Sequence, residues 1–132
     1  MAASFLAILL LEPHWRKWRL RAALLMYAAI LALGSVPGAR ADIGLVASGV
    51  VLHSLAYGLL TLLLFGGTSG TPAARVAKAV ACIMAMGAGD EFLQSFLPYR
   101  HADVHDWIVD VSAALVVSAL LLAFSRRSVS RT

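Results

Sequence analysis

Residues 43–65 read IGLVASGVVLHSLAYGLLTLLLF, a stretch without a single Asp, Glu, Lys or Arg. An α-helix rises about 1.5 Å per residue, so about 20 residues of this kind cross a hydrocarbon core of roughly 30 Å. The apolar residues follow neither strand nor helix periodicity, and a helix apolar all round is one that faces lipid. Three other runs repeat the pattern. Residues 22–36 (AALLMYAAILALGSV) close at Pro37-Gly38, residues 76–97 close at Pro98, and residues 107–124 (WIVDVSAALVVSALLLAF) close at Arg126 and Arg127. Leu20 and Trp107 extend the two shorter runs into the membrane interface.

Composition points the same way. With 61% hydrophobic and 14% charged residues among 132, the chain has too little polar material to coat a soluble domain of this size. The expected fold is an all-α membrane protein, a four-transmembrane-helix bundle preceded by a short N-terminal interfacial helix. Residues 1–19 form an interfacial and basic segment, residues 20–125 the transmembrane domain, and residues 126–132 a basic tail. Residues 2–11 are apolar but too short to span, and Glu12-Pro13 ends them. Trp15 and Trp18 suit the headgroup zone.

Charge sets direction. Nine of the 11 basic residues fall on one side of a four-span chain: Arg16, Lys17, Arg19 and Arg21, then Arg75 and Lys78, then Arg126, Arg127 and Arg131. Only Arg40 and Arg100 fall on the other. The positive-inside rule places both termini in the cytoplasm and turns the loops near 37–42 and 98–106 outward. A rival reading takes Ala39-Arg40-Ala41 as a cleavage site and removes residues 1–41. The net charge of +4 lies beside apolar runs, without the aromatic-interleaved basic patch of a nucleic-acid binder. The single cysteine, Cys82, excludes an intramolecular disulfide and reads as a small core residue. Ala77, Ala81, Ala85 and Gly89 recur every fourth residue, which suits close helix packing and a central position for the third helix.

Polar groups inside such runs are costly and usually face the bundle interior. Five of the seven acidic residues lie between positions 90 and 110: Asp90, Glu91, Asp103, Asp106 and Asp110. Helical geometry puts Asp90, Glu91 and Gln94 on one arc. It puts Asp103, Asp106 and Asp110 on one stripe if the last helix begins near Asp103, and His53 and Tyr57 on one face. With the topology above, His53, Asp90, Glu91, Gln94, Arg100, Asp106 and Asp110 can meet in the outer half of the bundle. Carboxylates there suit acid–base work, and Arg100 suits an anionic group such as a lipid phosphate. Oxygen ligands with one imidazole would also suit a divalent cation. A purely structural network is the third reading, with Asp106 capping the last helix and Arg100 paired with Glu91 or Asp90. His101 and His105 read as solvated loop residues. No Ser-His-Asp order, phosphate-cradling glycine loop or zinc spacing is present.

These residues carry a resemblance. H-x-x-x-Y at His53 and Tyr57, D-E-x-x-Q at Asp90, Glu91 and Gln94, then Pro98 and R-x-x-x-x-x-D at Arg100 and Asp106 resemble the VanZ-like membrane proteins. Ser35-x-Pro37 after the first run also fits. Gly49, Val50, Asp110 and Ala113 stand where that family often has Asp, Lys, Asn and Gly. The resemblance implies a protein of the bacterial inner (cytoplasmic) membrane and cell envelope, linked to glycopeptide (teicoplanin) tolerance. The expected partners are the lipid bilayer and an envelope lipid or glycopeptide-related ligand, which the cluster binds or processes. No cofactor is named. The alternative is a structural, partner-binding or transport-related subunit, as a homo-oligomer or beside another membrane protein, whose cluster only fixes helix packing.

Overall fold

The computed structural model describes residues 12–129, so the interfacial helix expected over residues 2–11 lies outside the described residues. The described chain is all-helical. A 3-10 turn, Pro13–Trp15, leads into α1 (Arg16–Gly34), the short α2 (Ala39–Gly44), α3 (Gly49–Gly67), α4 (Pro72–Gln94) and α5 (Val104–Val129). The basic stretch before the first apolar run is thus helical and continuous with it. Local chemistry sets the boundaries. Pro37 cannot continue α1, and Gly38, at φ 81°, supplies the left-handed residue from which α2 starts. The Ser48 hydroxyl accepts the Val51 N–H at the start of α3, and Thr71 accepts the Ala74 N–H ahead of Pro72 at the start of α4. The run over residues 43–65 is therefore divided: Ile43 and Gly44 end α2, and the long helix begins only after Ser48.

The four long helices alternate in direction. Arg19 and Leu20 at the start of α1 meet Gly66 and Gly67 at the end of α3. Arg75 at the start of α4 reaches Phe65, and Trp107 at the start of α5 reaches Met84 late in α4. The basic end is tied by cations on helix carbonyls. Arg19 Nε donates to Gly66 O at 2.8 Å and Arg75 Nε to Phe65 O at 2.9 Å, where the negative end of the α3 dipole favours them. Burial, with Arg16 adding repulsion, lowers the Arg19 pKa from its ordinary value, but a guanidinium stays charged.

Two packing expectations are corrected. The central helix is α3, which packs on α1, α4 and α5, and not the third apolar run. The Ala77, Ala81 and Ala85 stripe is exposed on the outside of α4, and Cys82 beside it is exposed too. α4 packs instead through Ala79, Ile83, Gly87, Asp90 and Gln94. The reason is local: an inward helix face must carry the groups that need partners, and Asp90 and Gln94 need them more than alanine does.

Polarity is inverted relative to a soluble protein. Leu24, Leu25, Leu55, Phe92, Phe96, Leu115, Val116 and Leu120 are exposed, whereas Arg19, Thr61, Asp90, Gln94, Asp106, Asp110 and Ser118 are buried. Apolar exterior on this scale is a surface made for lipid or a partner. Two helices, Gly49–Gly67 and Val104–Arg126, are long and apolar enough to cross a membrane by themselves.

Candidate functional site

The bundle end opposite Arg19 and Arg75 gathers the polar residues. His53 lies one turn into α3. Its Nδ1 stands 2.8 Å from Asp110 Oδ1, and its Nε2 stands 3.6 Å from Asp106 Oδ2. Carboxylates thus face both ring nitrogens. Tyr57, the next turn along α3, stacks on the imidazole at 5.9 Å between ring centroids. The Tyr57 hydroxyl donates to Asp90 Oδ2 at 3.3 Å, and Gln94 Nε2 donates to Asp90 Oδ1 at 2.9 Å. Asp110 comes this close to α4 because Gly87 leaves room: a Cβ there would stand 3.0 Å from Asp110 Oδ2 and 3.0 Å from Trp107 Cδ1.

Six of the seven residues expected in the cluster thus join two linked groups, or the cavity they border. His53, Asp106 and Asp110 form one, and Asp90 and Gln94 the other, with Tyr57 between them. Arg100 lies across a cavity of about 110 Å³ that it shares with His53, Asp90 and Gln94. The apolar lining is Ile30, Leu33, Ile43 and Leu52, with Gly34 and Gly49. Glu91 stands apart, turned toward the loop, where its Oε2 accepts the backbone N–H of Asp103.

Two expectations change. Asp103 does not share the inward stripe: it is exposed ahead of α5, and its carboxylate accepts the His105 N–H at 2.8 Å. Asp103 therefore caps α5, and Asp106 is released to face His53. The ion pair expected between Arg100 and Glu91 or Asp90 is not formed, and the Arg100 Nε is buried without a hydrogen-bond partner among the described residues. Among these residues no group of three His, Cys, Asp or Glu side chains is placed to hold a metal. His101 is an exposed loop residue, whereas His105, also exposed, lies in the first turn of α5 with its Nδ1 2.8 Å from Asp103 Oδ1.

Other buried polar atoms share the condition of Arg100. Glu91 Oε1, Gln94 Oε1 and Asp110 Oδ2 also have no partner among the described residues. A buried polar group left unpaired costs on the order of 1–3 kcal/mol, so several at one end of one bundle call for a reason. An imidazole set between carboxylates has the means to hold and pass a proton.

Sequence reasoning passes over three aromatic ties around the site. Tyr27 donates to Met86 O at 2.8 Å, Trp107 to Met84 O at 3.0 Å, and Tyr99 to Ser35 O. Their signal is residue type: a polar-tipped aromatic finds a partner when it is packed.

An antiparallel helical bundle with an apolar outside and charged groups within is the build of an integral membrane protein. The VanZ/LLP1 family profile matches residues 4–125, and the chain belongs to that family. Neither the curated proteins nor the solved structures contain a match to it.

Proposed function

We propose that the protein crosses the bacterial cytoplasmic membrane four times with both termini in the cytoplasm. Its outer-half cluster then serves as the binding site for an envelope lipid or glycopeptide-related ligand and contributes to glycopeptide (teicoplanin) tolerance. One observation carries the reading. Gln94 Oε1 and Arg100 Nε, buried and without a partner among the described residues, belong to residues that border one cavity. A network built only for packing would pair these groups with each other. Further support is the gathering of Arg19, Arg75 and Lys78 at the opposite end, where each holds a backbone carbonyl. That is the distribution the positive-inside rule assigns to a cytoplasmic face.

The functional test substitutes Glu91, Arg100 and Asp106 singly, with membrane insertion checked. Loss of drug tolerance or an altered lipid profile in these variants is expected; unchanged tolerance and lipids in all three would overturn the binding role. Reporter fusions at both ends and in the loops after α1 and α4 test the topology. A periplasmic terminus, or a mature chain lacking residues 1–41, would refute it. The packing-only reading draws on the His53–Asp110 and Tyr57–Asp90–Gln94 contacts. It predicts that the variants lose fold and function together.

A further inference from the structure

The unpartnered groups differ in kind, and the difference describes a ligand. Arg100 Nε is a donor. Gln94 Oε1 is an acceptor, and its identity follows from its neighbour: Asp90 Oδ1 accepts from the Gln94 amide nitrogen, so the amide oxygen must point the other way. Gln94 is 2% exposed and borders the same cavity as Arg100. A fitting ligand therefore brings an anionic oxygen for Arg100 and an N–H or O–H for Gln94.

Charge selects between those donors. The surroundings hold three carboxylates, Asp90 on the cavity wall and Asp106 and Asp110 against His53, facing Arg100 and His53. A group that is anionic throughout meets repulsion there, whereas a phosphate joined to a primary ammonium is neutral overall and complements both signs.

The walls select a lipid over a soluble phosphate. Ile30, Leu33, Ile43, Leu52 and His53 border both the cavity and an adjoining groove of about 190 Å³, which continues along α1 and α3 to Ala56 and Tyr57. Leu33 is 57% exposed, so the groove opens on the lipid-facing side. On its other side, Arg100 borders a second space of about 360 Å³ among the loops, lined by Val36, Gly38, Ala41 and Tyr99. Leu45 and Val46, just after α2, are 88% and 87% exposed, which suits residues dipping into a bilayer surface. Arg100 thus stands between the apolar cavity and the loops.

We infer that this cavity holds the headgroup of a phospholipid with a primary ammonium, its phosphate on Arg100, its ammonium toward Gln94, and one acyl chain in the α1–α3 groove. The inference rests on the binding role proposed above and names its ligand class.

The test uses the full chain, purified in detergent and exchanged into nanodiscs of phosphatidylethanolamine, phosphatidylcholine or phosphatidylglycerol. Lipid retained after delipidation is measured by native mass spectrometry. Phosphatidylcholine carries the same charges but no N–H, so retention of phosphatidylethanolamine should exceed it by about tenfold, the worth of one hydrogen bond to a charged group. R100Q should lower retention of both zwitterionic lipids, and Q94M should erase the preference between them. L33W, on the exposed groove wall, should block retention without touching the polar groups; it keeps the test open if Q94M fails to fold. Soluble phosphoethanolamine should not displace the lipid.

Equal retention of all three lipids with R100Q unchanged would overturn the inference, as would a preference for phosphatidylglycerol. Displacement by soluble phosphoethanolamine would replace the lipid with a free phosphate. The two proposals fail separately. Lost tolerance in R100Q cells without lipid selectivity in vitro removes the ligand class and keeps the binding role. Selective retention with normal tolerance in every cluster variant keeps the lipid site and removes the link to tolerance.

Discussion

Breaking the contact between His53 and Asp110 should cost more than an ordinary interhelical hydrogen bond. The Asp110 side chain is 0% exposed, and its Oδ1 lies 2.8 Å from His53 Nδ1. Its Oδ2 has no partner among the described residues, so His53→Leu leaves the whole carboxyl group unpaired. Asp106, 3.6 Å from the other ring nitrogen, loses this neighbour in the same step. Two magnitudes compete. Polar contacts between membrane helices average about 0.6 kcal/mol and reach about 1.7. Removing one partner of a buried pair costs about 3–5 kcal/mol. The second regime applies here because leucine offers Asp110 no donor in place of the imidazole, so His53→Leu is expected to cost about 3 kcal/mol. The second substitution is Asp110→Ala rather than leucine, because the contacts at Gly87 leave no room for a larger side chain. The double variant should be more stable than the sum of the singles by about 2 kcal/mol. Reversible unfolding in mixed micelles, or steric trapping in bicelles, measures the cycle. A coupling below about 0.5 kcal/mol would refute the claim that His53 satisfies Asp110.

Gly67→Ala places a Cβ 2.6 Å from Leu20 Cγ and 3.1 Å from its backbone N, so α1 and α3 must separate; a loss of about 1–3 kcal/mol is expected, read as a lower unfolding midpoint. At Gly89 a Cβ would meet the Tyr27 hydroxyl at 2.7 Å, so Gly89→Ala should cost about 1 kcal/mol and Tyr27→Phe in the same chain should return part of it. Arg19→Ala removes the donors to Gly66 O and Glu12 O and should cost about 1.5–3 kcal/mol in the same unfolding assay, with Arg19→Lys intermediate. Cys82 is exposed on the outer face of α4; in membranes it should react with a lipid-soluble maleimide and resist a charged one, and rapid labelling by the charged reagent would count against a lipid-facing α4.

Much of the site is legible in the amino-acid order because its signals are local. His53 and Tyr57 are one turn apart, so one face of one helix has to hold both, and they stack. Asp90 and Gln94 share a face for the same reason and are hydrogen-bonded. Asp110, one turn beyond Asp106, requires a partner from another helix, and the fold supplies His53. Asp103 escapes this kind of reading because the start of α5 depends on which acidic residue caps it. A shift of a residue or two there decides whether a side chain faces inward or joins the cap.

The amino-acid order is enough to make the chain helical and to assign it to a membrane. Long apolar runs and punctuating Pro and Gly leave helices as the way to satisfy the backbone in lipid. It also directs Asp90, Asp106, Asp110, Gln94 and His53 to one end of the bundle. Contacts in three dimensions settle the rest: which helix is central, that the alanine stripe of α4 faces outward, and that Arg100, its Nε without a partner among the described residues, borders the same cavity as Gln94. Helix periodicity groups residues on a face but does not say which face turns inward. That choice is made between helices distant in sequence, where the pairing of His53 with Asp110 and the room left by Gly87 outweigh the small-residue pattern.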